Sequence, residues 1–296
     1  MQPSASAPLP MLRAALWMTG AIASFSSMAV AGREVSIALD TFEIMLYRSA
    51  IGLGIVVAVL GLTGKLHQIS RQRLGGHLMR NLAHFTGQNL WFFAIASVPL
   101  AQVFALEFTS PLWVIVLSPL LLGERLTPVR ALAALLGFAG ILIVARPSPD
   151  TISIGVLAAA SAAVFFAVTN ICTKRLTRTE SVGAIMFWLT AMQLLFGLVT
   201  AGFDGRIALP DPQTAPWLVI IALAGLLAHF CITNALAIAP ATVVIPFDFA
   251  RLPTIAVVGM LLYGEALDIW VFVGAAVIFV ANYINIQAET RRIRVA

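Results

Sequence analysis

The chain has 296 residues, of which 60% are hydrophobic and only 10% are charged, and its mean hydropathy is +0.97. A soluble domain carries roughly 25% charged residues, and a disordered chain combines low hydrophobicity with high net charge, so both classes are excluded. The net charge of +5 does not indicate nucleic-acid binding, because the basic residues lie between the apolar runs. The composition therefore predicts a polytopic membrane protein.

Ten apolar segments are long enough to cross a bilayer as helices, which takes about 20 residues each. Breaks rich in glycine, proline or charge separate them. The runs are continuous rather than alternating, which excludes an outer-membrane barrel. We therefore expect an all-α integral membrane protein with ten transmembrane helices. The predicted spans are 11–32, 42–63, 77–97, 100–122, 127–145, 153–174, 181–203, 214–238, 241–263 and 267–287.

The two ends of the chain carry separate predictions. Residues 1–10, rich in Pro, Ser and Ala, predict a disordered tail, and residues 289–296 predict a basic cytoplasmic tail. Arg13, the apolar run that follows and Ala29-Val30-Ala31 together resemble a cleavable signal peptide. An uncleaved counterpart of this segment in mid-chain favours its retention as the first span.

Lys and Arg in the loops predict how the chain is oriented in the membrane. With the N-terminus in the cytoplasm, 13 of the 18 basic residues lie on the cytoplasmic side and 3 lie outside. Arg48 and Arg251 fall within spans. Both termini are then cytoplasmic, as an even number of spans requires.

The chain resembles itself when it is shifted by 141 residues. Residues 99–124 and 240–265 are identical at eight of 26 positions without a gap. Because each half holds five spans, an odd number, the second copy enters the bilayer from the opposite side. The predicted domains are a first five-helix repeat at 11–148 and an inverted second repeat at 149–288. The most informative matches are Pro99/Pro240, Glu107/Asp248, Phe108/Phe249 and Gly123-Glu124/Gly264-Glu265.

The same shift pairs residues outside this stretch. Phe25 pairs with Phe166 and Arg33 with Lys174, whereas the third and eighth spans align only after a gap of about four residues. Inverted repeats recur in secondary transporters, whose substrate site lies near the middle of the bilayer between the repeats. The pattern therefore predicts transport or conduction; the alternative is a gene duplication retained only for packing.

Each repeat closes its fourth span with a Gly-Glu turn, in Leu122-Gly123-Glu124-Arg125-Leu126 and Tyr263-Gly264-Glu265-Ala266-Leu267. Together with ten spans in two halves, this pattern resembles the drug/metabolite transporter superfamily over nearly the whole chain. Within it, the chain is most similar to the bacterial inner-membrane exporters of aromatic and other amino acids. The resemblance implies export, a central cavity surrounded by spans 1–4 and 6–9, and peripheral scaffolds in spans 5 and 10. The second copy departs from the pattern after Gly264-Glu265, with Asp268 and little basic charge.

A charged side chain at the centre of a bilayer costs several kcal/mol unless it is paired or hydrated, so each one in a span is a functional candidate. Glu107 and Asp248 each lie eight residues after the proline that opens their span, about 12 Å into the bilayer and close to its midplane. Arg251 lies one helical turn after Asp248, which predicts an ion pair within the helix. Glu107 has no cation at the matching place, so its expected partner is Arg48 or His84. Structural ion pairs that hold the bundle together are the alternative interpretation.

A polar stripe follows the third span. Arg80, His84 and Gln88 are spaced by four and share one helical face, which Trp91 continues. Lipid would not tolerate this face, so we expect it to contact water or protein. His84 can accept, donate or carry a proton near neutral pH, which suits a substrate carboxylate or a moving proton. A histidine hydrogen-bonded within the bundle is the alternative.

Prolines interrupt the same two spans that carry the acids. A proline kinks a helix and frees a backbone carbonyl, which in a membrane must face protein or a wet cavity. We therefore expect the substrate site between spans 4 and 9, with aromatic side chains as its walls. The predicted substrate-binding residues are Tyr47, Arg48, His84, Gln88, Trp91, Glu107, Asp248 and Arg251.

Motifs for ATP binding, metal binding, proteolysis and potassium selectivity are absent from the sequence, so no enzyme activity, cofactor or metal is predicted. The leading hypothesis is a secondary transporter that exports amino acids, including aromatic ones, by alternating access, because balanced midplane charges suit a zwitterion. One alternative is another cargo, such as a cationic drug, a nucleotide sugar or a sugar phosphate. Another is an intramembrane enzyme or scaffold acting on lipid precursors. The expected partners are a small-molecule substrate and membrane lipid, with no nucleic acid. The sequence is compatible with a monomer and leaves the oligomeric state open.

Overall fold

The computed structural model describes residues 8–122, 127–146, 153–203, 205–238 and 247–295, and these residues form helices and turns without any strand. A short 3₁₀ turn at Leu66–Gln68 lies between α2 and α3. In chain order the helices are α1 Pro8–Val35, α2 Thr41–Leu62, α3 Leu74–Ser97, α4 Leu100–Glu107, α5 Ser110–Leu122, α6 Pro128–Ala145, α7 Ile154–Leu176, α8 Val182–Ala201, α9 Ala215–Ile238, α10 Arg251–Tyr263 and α11 Ile269–Val295.

Several helices begin where a side-chain oxygen can accept from the unpaired backbone N–H groups of the first turn. Asp40 accepts from the N–H of Glu43, and the Glu43 carboxylate accepts from the N–H of Asp40, which forms a capping box before α2. Thr127, Ser153 and Ser181 each accept from one backbone N–H in the first turn of α6, α7 and α8, respectively. Local sequence therefore fixes where these helices start.

Eight segments of the described chain are long and apolar enough to cross a membrane. Two of the ten predicted spans do not meet this criterion. The third span was predicted at 77–97 and is observed as α3. Its polar stripe lowers the mean hydropathy of the helix. In the ninth, predicted at 241–263, the apolar helix is only the 13-residue α10, and residues 241–246 lie outside the described part. The all-helical class is confirmed, and the number ten stays a prediction.

The structure describes only part of the two predicted tails. Residues 1–7 lie outside the described residues, while residues 8–10 already belong to α1. Residues 289–295, predicted as a tail, continue α11. The Gly123-Glu124 turn is also outside the described residues. Its counterpart Gly264 ends α10 with φ of 65°, a left-handed conformation that glycine adopts readily.

The helices pack chiefly as four pairs, α1 with α9, α2 with α8, α3 with α7, and α6 with α11. Each pair joins a helix from 11–148 to one from 149–288. The α2–α8 pair is antiparallel, because Leu46 lies against Gly197 and Leu60 lies against Gly183. Helices α6 and α11 approach so closely that a Cβ on Gly140 or Gly274 would meet the backbone of the other helix. Besides these pairs, α4 packs against α10, which brings the two acid-bearing segments together.

Candidate functional site

The predicted span 100–122 is not one helix. Helix α4 ends at Glu107, residues 108–109 form a turn, and α5 begins at Ser110. Pro111 explains the break, because it has no N–H to donate to the preceding turn. The Phe108 carbonyl accepts instead from Nδ2 of Asn282 on α11, at 3.1 Å. The break is therefore held from outside by another helix.

The second half of the chain breaks at the equivalent place. The helical conformation ends at Asp248, residues 249–250 form a turn, and α10 begins at Arg251, each 141 residues after its counterpart. Leu252 stands where the first half has Pro111, and its N–H donates to the carbonyl of Phe249 at 3.1 Å. Each acid is thus the last helical residue before a break.

The rings of Phe108 and Phe249 stack on each other, with centroids 4.5 Å apart and planes inclined by 21°. These two residues are equivalent under the shift of 141. Equivalent positions that touch each other must lie beside any axis that relates the two halves. Glu107 and Asp248, one residue before each ring, therefore lie close to such an axis.

Glu107, Asp248, Arg251 and Trp91 form the central cluster. Glu107 Oε2 accepts from Trp91 Nε1 at 2.8 Å, and Glu107 Oε1 accepts from Arg251 Nη2 at 3.1 Å. The same Nη2 reaches Asp248 Oδ2 at 3.4 Å. The ion pair predicted for Asp248 and Arg251 is therefore observed, but it spans the turn at 249–250 and does not lie within one helix. The partner predicted for Glu107, Arg48 or His84, was wrong, because Arg251 crosses between the halves and reaches it first.

Three phenyl rings surround the Arg251 guanidinium. Its Cζ lies 4.6 Å from the centroid of Phe25, 4.8 Å from that of Phe108 and 5.0 Å from that of Phe104. Aromatic faces attract a cation, and they do so more strongly where water is excluded. The Arg251 side chain is 4% exposed, against 19% for Glu107 and 24% for Asp248. The cation is thus fixed, while both acids retain some access to solvent or solute.

Two histidine–phenylalanine contacts are equivalent in the two halves, and one of them includes Phe25 of the central cluster's ring cage. The rings of His84 and Phe166 lie 6.0 Å apart, and so do those of His229 and Phe25. Phe25 and Phe166 are equivalent under the shift, and His84 and His229 are equivalent once the four-residue gap is applied. The same contact therefore occurs once in each half of the chain.

The polar stripe on α3 divides into two parts. Arg80 donates to Thr173 and to Asn81, and Asn81 donates to the Trp188 carbonyl, so this end of the stripe joins α3 to α7 and α8. His84 and Gln88, both buried, make no hydrogen bond within the described residues, and His84 Nδ1 and Gln88 Oε1 are fully enclosed. Buried polar groups are nearly always bonded, and one left unpaired costs roughly 1–3 kcal/mol. His84 and Gln88 therefore have hydrogen-bonding capacity that the described residues do not use.

Arg48 and Tyr47 lie apart from the central cluster. The Arg48 guanidinium lies 5.9 Å from the Phe92 ring and against Gly225 of α9, where a Cβ would come within 2.9 Å of Nη2. It pairs with no carboxylate of the described residues. Tyr47 donates its hydroxyl to the carbonyl of Ala208 at 2.7 Å, in the connection before α9. Tyr47 is therefore bound to a loop, while Arg48 remains available at the edge of the site.

A second charged junction, not predicted from the sequence, lies where α1, α3 and α10 end. Arg33 pairs with Glu265 and also donates to the carbonyls of Ile95 and Val98. The other oxygen of Glu265 accepts from the N–H of Leu100 at 2.9 Å. Arg33, at the end of α1, thus holds the end of α3 and the turn between α10 and α11. Glu265, in that turn, also holds the start of α4.

Sequence reasoning also missed the ring cage of Arg251 and the role of Glu265. The sequence contained an indication of both features. Phe25, Phe108 and Glu265 all belong to matches of the internal repeat, but their matches served only to establish the repeat. A residue that recurs under the shift and is aromatic or charged marks a position close to the other half.

Known proteins match this chain over almost its whole length. The model of the EamA-like transporter family matches twice, at residues 12–146 and 153–287. The riboflavin transporter of Vibrio cholerae is 32% identical over 96% of this chain and 96% of its own. The S-adenosylmethionine uptake transporter of Rickettsia bellii is 22% identical over 93% of this chain and 94% of its own. One crystal structure, 20% identical, shares the fold with a TM-score of 0.63 over 94% of this chain and 98% of that one. The chain therefore belongs to the EamA-like transporter family of the drug/metabolite transporter superfamily.

Proposed function

We propose that the protein is a secondary transporter that moves one small metabolite by alternating access between two inverted five-helix repeats. The two family matches, at 12–146 and 153–287, support the repeat division at 11–148 and 149–288. The antiparallel pairing of α2 with α8 and the helix breaks 141 residues apart support the inversion. In this proposal α3 and the segment 241–263 complete the ten spans. A polar stripe that faces a site rather than lipid accounts for the low hydropathy of α3.

The proposed cargo is riboflavin or a closely similar heteroaromatic compound. The observation that carries this proposal is the full-length match to a riboflavin transporter at 32% identity. The charges of the region balance, which is compatible with an uncharged solute: the carboxylates of Glu107 and Asp248 share the Arg251 guanidinium, and Arg48 supplies a second positive charge apart from them. His84 and Gln88 offer hydrogen bonds that no described residue uses. Phe166, in contact with His84, offers an aromatic face.

A zwitterionic amino acid, the cargo expected from the sequence, is the second candidate. Asp248 Oδ1 is without a hydrogen bond, and Arg48 is without a carboxylate among the described residues. These groups could receive an ammonium and a carboxylate respectively. An amino acid would therefore use Asp248 of the central cluster and Arg48, whereas riboflavin would use the uncharged part of the stripe, His84 and Gln88.

We place the protein in the bacterial inner membrane with both termini in the cytoplasm. The loop charges support this orientation, with 13 basic residues on the predicted cytoplasmic side and 3 outside. Export, implied by the family resemblance, is part of the same proposal and is tested in both directions below.

The test is transport by the purified full-length chain in proteoliposomes. Radiolabelled riboflavin, phenylalanine, a quaternary-amine drug and a sugar phosphate are loaded inside or supplied outside in separate assays. We expect saturable riboflavin flux, competed by unlabelled riboflavin and absent from protein-free vesicles. Saturable phenylalanine flux without riboflavin flux would replace the first cargo by the second. If neither riboflavin nor phenylalanine is transported, but the drug or the sugar phosphate is, both cargo proposals are overturned.

A further inference from the structure

A groove rich in arginine opens between the start of α3 and the end of α7, away from the central cluster. We call it the arginine groove; Arg73, Arg175 and Arg178 line it together with Gly76 and Met79. The three arginines are exposed, and none pairs with a carboxylate of the described residues. Three exposed guanidinium groups at one opening, none of them in an ion pair within the described residues, favour the binding of an external anion.

The groove continues into an apolar surface. Leu74, Leu78 and Leu82 follow one another at intervals of four on α3, and they are 39%, 44% and 48% exposed. Met79, which lines the groove, is 60% exposed beside them. In a membrane protein an exposed apolar stripe of this kind faces acyl chains. The groove therefore has a cationic end at the tips of two helices and a hydrocarbon-facing surface along one of them.

The repeat does not require this charge. In the first half, Glu34 and Ile37 stand at the positions equivalent to Arg175 and Arg178. In the second half, Leu218 stands at the position equivalent to Arg73 once the four-residue gap is applied. The same helix ends therefore pack in the other half without an arginine cluster. The charge belongs to one face of the molecule only, the face with the excess of basic loops.

We propose that the arginine groove binds the head group of an anionic phospholipid, such as phosphatidylglycerol, whose acyl chains lie along Leu78, Met79 and Leu82. A basic pocket between transmembrane helices suits an anionic head group, and each arginine near an anionic lipid surface adds to the attraction. Apolar contact along α3 distinguishes a lipid from a soluble phosphate. The site is independent of the cargo and of the transport direction.

Native mass spectrometry of the full-length protein in detergent tests this proposal. The probes are phosphatidylglycerol, phosphatidylcholine of the same chains, and glycerol 3-phosphate, titrated against wild type and two charge-matched variants. One variant, Arg175→Gln with Arg178→Gln, alters the groove. The other, Lys65→Gln with Arg71→Gln, removes two exposed charges from the loop before α3 and outside the groove lining.

We expect phosphatidylglycerol to bind more tightly than either other probe, and the groove variant to weaken it by about tenfold or more. The loop variant should retain near wild-type affinity. Equal weakening in both variants would show only diffuse electrostatic attraction and overturn the site. Equal binding of glycerol 3-phosphate would show a soluble-anion site instead of a lipid site, and equal binding of phosphatidylcholine would remove the role of charge.

Discussion

At the level of single residues, the central site depends on how Arg251 is accommodated. Its pairing with Asp248 could be predicted from the spacing of three residues, and the pair is kept although a turn at 249–250 replaces the expected continuous helix. The bond of Arg251 to Glu107 and the three phenyl rings around its guanidinium could not be predicted. Arg251 and Glu107 are 144 residues apart, and their contact depends on how α4 and α10 pack. Local spacing predicts contacts within an element, whereas contacts between halves need the three-dimensional arrangement.

Removing the Arg251 charge should destabilise the fold, because Glu107 and Asp248 would lose their shared cation. We expect Arg251→Met to cost roughly 3–5 kcal/mol, the usual cost of breaking a buried pair from one side. Adding Glu107→Gln should recover part of this loss, since one unpaired carboxylate disappears. Thermal unfolding of the two single variants and the double variant in detergent measures the coupling. Additive losses would contradict a direct interaction.

Gln88 should matter for the solute and little for the fold. It makes no hydrogen bond within the described residues, so Gln88→Leu removes no internal bond, and we expect a stability change within about 1 kcal/mol. The KM for riboflavin should rise about tenfold, because a solute loses one bond in a dry site.

Asn81→Leu, seven residues earlier on α3, is the control. It removes bonds to Arg80 and Trp188 and should lower the unfolding temperature. A large stability loss in Gln88→Leu would assign Gln88 to packing.

At the level of elements, the break between α4 and α5 shows where sequence reasoning reached its limit. The prolines of span 4 correctly indicated that this helix is interrupted, whereas in span 9 Pro253 lies within α10 and Pro246 lies outside the described residues. Those of span 4 did not indicate the exact residue, because Pro119 lies within α5 without ending it. The outcome at residues 108–109 also depends on Asn282, which is on α11 and distant in sequence.

Asn282 and Pro111 should be energetically coupled. Asn282→Leu leaves the Phe108 carbonyl without its donor, and we expect a loss of roughly 1–3 kcal/mol. Pro111→Ala restores an N–H that can serve this carbonyl, as that of Leu252 serves Phe249 in the other half. The double variant should therefore be more stable than Asn282→Leu alone, as measured by thermal unfolding. A double variant at least as unstable as the sum of the single variants would contradict this arrangement.

At the level of the whole molecule, the internal repeat was the most informative feature of the sequence. It singled out Glu107 and Asp248, and it paired Phe108 with Phe249, although the stacking of these two rings was not predicted. It could not indicate which face is closed, because that depends on individual pairs such as Arg33 with Glu265. It also could not indicate the cargo, since the differences between the halves, such as Arg251 against Ser110, set the chemistry of the site.

The Arg33–Glu265 pair should hold one face of the transporter shut. Arg33→Cys with Glu265→Cys, introduced together with Cys172→Ser and Cys231→Ala, allows the two positions to be joined by a short bifunctional thiol reagent. We expect cross-linking to abolish riboflavin transport, because this face can no longer open, and each single cysteine variant to retain it after the same treatment. Full transport by the cross-linked double variant would show that this face does not need to separate.

The most direct measurement is riboflavin transport by a variant that alters the central site alone, His84→Ala with Glu107→Gln. In proteoliposomes with matched protein content, we expect at least about a tenfold loss of saturable flux, as for other buried polar contacts to a solute. The control, His67→Ala with Lys65→Gln, changes the same number of residues in an exposed turn and should transport like wild type. Wild-type flux from the His84/Glu107 variant would contradict a substrate site beside the stacked rings of Phe108 and Phe249.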